Sequence, residues 1–306
     1  MKHRLLVTVV AAVLLAGVAI GYTALSSSTG EAADSVPVGG GPRLLVLDNG
    51  RLATVSRADP AGPREVTAQR CDRVYGAGGT ISCLRPVGAL KAGELAVLDA
   101  GLNELRTVPL TGFPNRTRVS ASGRMVAWTL FVDGHSYAAN GFSTSTGILD
   151  TKTGTLVRSL EELSIEGMAP LPPDANFWGV TFAADDNRFY ATMSTGGHRY
   201  LIEGDLAARK ARTLVDNVEC PSLSPDGTRI AHKAAVDGDP QRGWRVSVLD
   251  LATGRVTPLA ETRSVDDQPA WLDDRTVGYG IQRDDGTNDV WAVPADGSGT
   301  AQVLVP

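Results

Sequence analysis

Several kinds of chemistry are missing from this chain of 306 residues, and each absence narrows the reading. It holds four histidines, at 3, 135, 198 and 232, and no pair of them has the spacing of a zinc-binding helix. Of its three cysteines, Cys71, Cys83 and Cys220, none forms a Cys-x-x-Cys pair, so neither a metal site nor a redox motif is expected. No Gly-x-Ser-x-Gly occurs; Gly141-Phe-Ser-Thr-Ser145 carries a serine at the final position, which argues against a serine hydrolase. Gly76-Ala-Gly-Gly79 lacks the lysine and helix of a phosphate loop. Lysine is scarce, the net charge is −5, and no basic field favours nucleic acid. Helix-period apolar runs are scarce beyond the N-terminus, while Val, Thr and Gly are plentiful. An all-β domain is expected.

What is present begins with Val218-Glu-Cys-Pro-Ser-Leu-Ser-Pro-Asp-Gly-Thr-Arg-Ile-Ala-His232. Pro225-Asp-Gly is turn chemistry, because Pro presets φ and Gly accepts positive φ. The segment from Thr228 to His232 alternates polar and apolar residues, as a half-buried strand does. Trp244–Asp250 and Arg255–Leu259 read as third and fourth strands around a Thr253-Gly254 turn. The strand–turn–strand signal recurs at Arg73–Cys83, Thr117–Trp128, Gly179–Ala191 and Gln268–Tyr279. Aligned on Gly79, Gly123, Asn187, Gly227 and Asp274, the steps are 44, 64, 40 and 47 residues, the spacing of propeller blades. The step of 64 requires an insertion.

Ser224-Pro-Asp-Gly227 followed by Arg229-Ile-Ala231 resembles the WD40-like repeat of TolB-type six-bladed propellers. The resemblance spans residues 40–306, with one repeat matching in letters and the others in pattern. It implies a six-bladed β-propeller of four-stranded antiparallel blades. It also implies an extracytoplasmic scaffold of the bacterial envelope, whose prototype binds envelope partners. The same fold serves in peptidases and lyases, so the resemblance speaks to fold more than to function.

The domain plan follows. Residues 1–25 carry Lys2 and Arg4 and then an uncharged run, Leu5–Tyr22, expected to form a hydrophobic helix that is a transmembrane anchor or a secretory signal. With Lys2 and Arg4 cytoplasmic, the rest of the chain is expected outside: a single-pass cell-membrane protein, or a secreted one if the segment is cleaved. Residues 26–41, rich in Ser, Gly and Ala, read as a flexible linker, and residues 42–306 as the propeller. Its first blade, opened by the Asn49-Gly50 hairpin, is one strand short, and Ala301–Val305 is a candidate to complete it. Cys71 and Cys83 flank one turn, and in an oxidising compartment a disulfide between them is expected. Cys220 reads as a small buried hydrophobe. His198 and His232 read as ordinary strand residues, and the five tryptophans as packing between blades.

Function is expected in the insertions of the third blade. One is the polar loop 133–145; the other is the Pro-rich connection 161–176. Asp133, His135, Tyr137, Asn140 and Phe142 of the loop are the candidate binding residues for an envelope protein or peptide. No catalytic residue, cofactor or metal is assigned; the Asp284–Asp289 and Asp237–Asp239 clusters read as solvated turns. The reading is a non-enzymatic binding scaffold. Its rival is a carbohydrate-active hydrolase or lyase with carboxylates converging on the central channel.

Overall fold

A computed structural model describes residues 43–87, 92–132 and 143–306. The hydrophobic segment 1–25 and the linker 26–41 lie outside the described residues. Among those described, no helix is long and apolar enough to cross a membrane. The described residues form six sheets in sequence order, each one blade and antiparallel apart from one short parallel pair in the fourth.

Blade 1 holds β1 (Arg43–Asp48), β2 (Arg51–Ser56) and β3 (Glu65–Arg70). Blade 2 holds β4 (Arg73–Ala77), β5 (Thr80–Pro86), β6 (Ala92–Asp99) and β7 (Glu104–Thr111). Blade 3 holds β8 (Phe113–Val119), β9 (Met125–Val132), β10 (Ser143–Asp150) and the short β11 (Leu156–Val157). Blade 4 combines β12 (Ser164–Ile165) with β13 (Asn176–Phe182), β14 (Arg188–Thr195), β15 (His198–Asp205) and β16 (Lys210–Val215). Blade 5 is β17 (Glu219–Leu223), β18 (Arg229–Ala235), β19 (Trp244–Asp250) and β20 (Val256–Pro258). Blade 6 is β21 (Ala270–Trp271), β22 (Thr276–Gln282), β23 (Asn288–Pro294) and β24 (Gln302–Val305).

The turns explain the repeat. In blade 5, Gly227 (φ 71°) donates its N–H to Ser224 O at 2.9 Å, while Ser224 Oγ accepts from Arg229 N at 3.0 Å. Blade 3 repeats this with Gly123 (φ 79°), whose N–H bonds Ser120 O at 2.9 Å; Ser120 Oγ accepts from Met125 N at 3.0 Å. The third strands of blades 2 to 5 each end in an aspartate, Asp99, Asp150, Asp205 and Asp250, that accepts backbone N–H groups of the following turn. Asp150 also takes both arms of Arg124, which holds its carboxyl well below the usual range.

Six apolar clusters lie one at each blade junction, as a closed ring requires. Between blades 2 and 3, for example, Leu84, Leu95 and Val97 meet Val126, Trp128 and Leu149. Trp128 is paired in register with Gly147, and a Cβ on that glycine would lie 2.2 Å from the indole ring. Phe189 and Gly204 repeat the device in blade 4. Gly147→Ala is therefore expected to cost about 1–3 kcal/mol by overpacking, read as a lower urea midpoint. An unchanged midpoint would show that the indole can swing clear.

Ring closure departs from the sequence expectation. The terminal strand β24 pairs with β23 as the outer strand of its own blade, leaving blade 1 with three strands among the described residues. The direction of β1 shows which three. Turns joining first and second strands share one face of the ring in blades 2 to 6, with Ser122 Oγ donating to Asp186 and Arg229 to Asp274 O. The Asn49-Gly50 turn lies on the other face, where Gly50 O accepts from Cys71 N at 3.0 Å. Arg57, after β2, reaches Leu272 O on the shared face at 3.3 Å. So β1 runs against the inner strands and stands in the second-strand position. Side chains close the seam: Leu44, Val46 and Val55 pack on Leu272, Val290 and Val305.

The insertion before blade 4 is structural. Ser159 caps a short 3-10 turn, Leu160–Glu162, whose Leu160 is buried with Leu163 and Ile165 in the core between blades 3 and 4. Strand β12 then pairs in parallel with β16 and covers the outer edge of the blade. Cys71 and Cys83 form the expected disulfide.

Candidate functional site at the propeller axis

The loop residues Asp133, His135, Tyr137, Asn140 and Phe142 lie outside the described residues. The flanking positions, Val132 and Ser143, end their strands on the ring face where β4 and β8 begin. On that face, charged side chains of five blades gather near the axis.

Two inner strands carry three arginines. β8 places Arg116 and Arg118 two residues apart, hence on one side of the strand, while Thr117 points back and bonds Ala127 O at 2.9 Å. β4 starts with Arg73 and continues to Tyr75. Arg73 Nε and Arg116 Nη1 both donate to the Asn115 carbonyl, at 2.8 and 2.9 Å, which brings two guanidinium groups together. Arg73 stands at the exposed rim, yet the channel wall and Arg116 lower its pKa, burial being the larger cause. Arg118 is 5% exposed; it lies 4.3 Å from the Tyr75 ring centre and donates to Pro269 O at 3.0 Å.

The segment leading into β21 supplies the opposing side. Arg116 donates to Asp266 O at 3.1 Å and sits 3.8 Å from the Asp267 carboxylate. Asp267 in turn accepts from Gly280 N at 2.9 Å. Gln268 ties the axis together by donating to Pro221 O at 2.8 Å and Val180 O at 3.3 Å.

A second cluster comes from blade 5. Glu219, 3% exposed, accepts from Trp244 Nε1 at 2.8 Å and pairs with Arg199 at 3.2 Å and Lys233 at 3.8 Å. Lys233 also binds Asp266 and lies 4.2 Å from the Trp244 ring centre. Burial opposes the charge on Lys233, but Cys220, Glu219 and Asp266 outweigh it and its pKa is raised. Burial raises the Cys220 thiol, which therefore stays protonated, so the two carboxylates are the operative partners.

The backbone beside this cluster is bent. Cys220 has φ 51°, and β17 bulges between Glu219 and Ser222. Gly179 (φ 68°) on the neighbouring inner strand allows the approach; a Cβ there would fall 2.7 Å from the Cys220 Cα. The freed Cys220 N–H donates to Thr192 Oγ1 at 2.9 Å. Cys220 is buried as expected, but as a bulge residue rather than a regular strand position.

Of the other sequence candidates, His198 bonds Asp216 at the surface and His232 is fully buried. No cluster of metal-ligating side chains occurs among the described residues. Reading the sequence missed Arg73, Arg116, Arg118, Glu219 and Lys233. The available signal was charge at alternate positions of strands that face neither solvent nor an apolar layer.

No protein-family model matches the chain, and no curated protein matches it. Solved structures do. TolB from Acinetobacter baumannii aligns with TM-score 0.57 at 15% identity, covering 82% of this chain and 61% of that one. A putative TolB from Agrobacterium tumefaciens aligns with TM-score 0.52 at 14% identity, covering 79% and 84%. A puromycin-hydrolyzing peptidase from Mycobacterium tuberculosis aligns with TM-score 0.50 at 16% identity, covering 87% of this chain and 44% of that one. At these identities the likeness is one of fold: the chain has the architecture of TolB-like six-bladed propellers.

Proposed function

We propose that this protein is a non-enzymatic scaffold that holds a protein or peptide at the axial mouth of its propeller. We propose further that its N-terminal segment tethers it to the bacterial envelope on the extracytoplasmic side. The observation that carries the binding reading is the state of the axial carboxylates. Glu219 is held by Arg199, Lys233 and Trp244, Asp266 by Lys233, and Asp267 by a backbone N–H. Glu219 has both oxygens engaged, and the more exposed Asp266 and Asp267 are each tied to a cation; carboxylates held in this way preorganise a surface for recognition.

Loop 133–142 belongs to this proposal, because Val132 and Ser143 end on the mouth face. Placing a photo-crosslinking residue at Asp72, on that face, should give adducts with an envelope protein in native extract. The same residue at Val303, exposed on the outer strand of blade 6, should not. Alanine at Asp133, His135, Tyr137, Asn140 and Phe142 together should abolish the Asp72 adduct without shifting the melting temperature. Equal adducts at both sites would remove the axial reading. Turnover of a glycan by the purified protein would move it to a carbohydrate-active hydrolase or lyase.

A further inference from the structure

We infer that Arg73, Arg116 and Arg118 form a binding site for a carboxylate of an acidic peptide segment inserted along the propeller axis. This inference rests on the scaffold reading above and names the chemistry of what it holds.

The first support is an imbalance of charge. In the blade 5 cluster, two cations, Arg199 and Lys233, face two carboxylates, Glu219 and Asp266. On the other side of the axis three guanidinium groups face two carboxylates: Asp267, at 3.8 Å from Arg116, and Asp72, whose charge acts on Arg73. The partners of Arg118 among the described residues are uncharged, the Pro269 carbonyl and the Tyr75 ring, and the hydrogen bonds of Arg73 go to the backbone carbonyls of Asp72 and Asn115. A cation as buried as Arg118 is costly without an anion, and a neighbouring cation adds to the cost. One incoming carboxylate would balance the set.

The second support is unused donor capacity. The Nε atoms of Arg116 and Arg118 are buried and have no hydrogen-bond partner. Guanidinium presents Nε and Nη as a planar fork that matches the two oxygens of a carboxylate. Arg118, twenty-fold less exposed than a free side chain, is a buried polar group of the kind that a ligand completes.

The third support concerns which carboxylate. The arginines run inward from exposed Arg73 through Arg116, 13% exposed at its side chain, to buried Arg118. That path suits an extended chain carrying acidic side chains or its own C-terminus. Uronic-acid sugars bear carboxylates too, but sugar rings stack on open aromatic faces. Here the rings beside the axis already carry a cation: Arg118 over Tyr75, Lys233 over Trp244 and Arg229 over Trp271. Peptide is the better fit.

The test is fluorescence anisotropy on the full chain, using a labelled Gly-Ser-Asp-Ser-Asp-Gly peptide and its Asn-substituted twin as probes. The Asp peptide should bind at least about tenfold more tightly than the Asn peptide, and its affinity should fall as salt rises from about 50 to 300 mM. Arg73→Gln and Arg118→Gln should each lose about tenfold in affinity, with Arg73→Lys recovering part of it. If Arg118→Gln fails to fold, rim-exposed Arg73 decides alone. Equal binding of the two peptides, or unchanged binding by both Gln variants, would overturn the inference. So would tri-galacturonate that binds more tightly than the Asp peptide. Crosslinking at Asp72 that survives Arg73→Gln would keep the scaffold and remove the carboxylate site. Selective binding of the Asp peptide with no adduct at Asp72 would do the reverse.

Discussion

Glu219→Ala is expected to destabilise the propeller by about 3–5 kcal/mol, measured by urea unfolding at neutral pH. The side chain is nearly inaccessible, and three donors converge on it from separate strands: Arg199 in blade 4, and Lys233 and Trp244 in blade 5. Truncating it strands the Lys233 ammonium, 6% exposed at its side chain, with Asp266 as its one remaining carboxylate. It also leaves the indole N–H without its acceptor. The penalty arises from groups left behind, so removing the lysine as well should recover much of it. Glu219→Leu combined with Lys233→Met should be closer to wild type than Glu219→Ala is. A single-variant cost below about 1 kcal/mol would mean that water or Asp266 replaces the carboxylate, and that the cluster is not a rigid unit.

The second large effect is acid destabilisation through His232. This ring sits on β18 at 1% exposure, and neither nitrogen has a hydrogen-bond partner. Burial lowers its pKa from 6.5 to about 4. The sign follows from proton uptake. Between those two values the unfolded chain binds the proton and the folded chain does not, so unfolding is favoured as pH falls. About 3 kcal/mol of stability should be present above pH 6.5 and lost progressively down to pH 4. Aspartates held below their usual range, such as Asp150 and Asp226, add their own loss mainly below pH 4, outside this window. Unfolding free energies from pH 4 to 7 should therefore flatten in His232→Leu. At pH 7 that variant should match or exceed wild type, since it removes two unpaired buried nitrogens. An unaltered slope would show that His232 reaches solvent or a partner when protonated.

Much of the fold was legible because its rules are local. Ser224-Pro-Asp-Gly227 specifies its turn through a preset φ, a positive φ and a serine acceptor, all within six residues. Asp99, Asp150 and Asp250 close their third strands in the same self-contained way. The Cys71–Cys83 pair was legible because a hairpin brings near residues face to face. That the connection 161–176 buries Leu163 and Ile165 and shields a sheet edge was not legible, because Pro-rich, weakly periodic sequence describes an exposed loop equally well. Blade 1 was correctly counted one strand short. The place of its three strands depended on which face each turn occupies, and alternation along a strand carries no such direction.

From sequence alone came the repeat, the all-β class and the disulfide, since each follows from spacing within one strand pair or between successive turns; the count of six was implied by the resemblance and fixed by the structure. Tertiary structure alone decided the axial site. Arg116 and Asp266 are 150 residues apart, and Glu219 and Arg199 belong to different blades. Closing the ring brings the inner strands to one axis, where Arg118, Glu219 and Lys233 are buried. There, an arginine that reads along the chain as a solvated strand residue becomes a buried cation facing a partner from across the propeller.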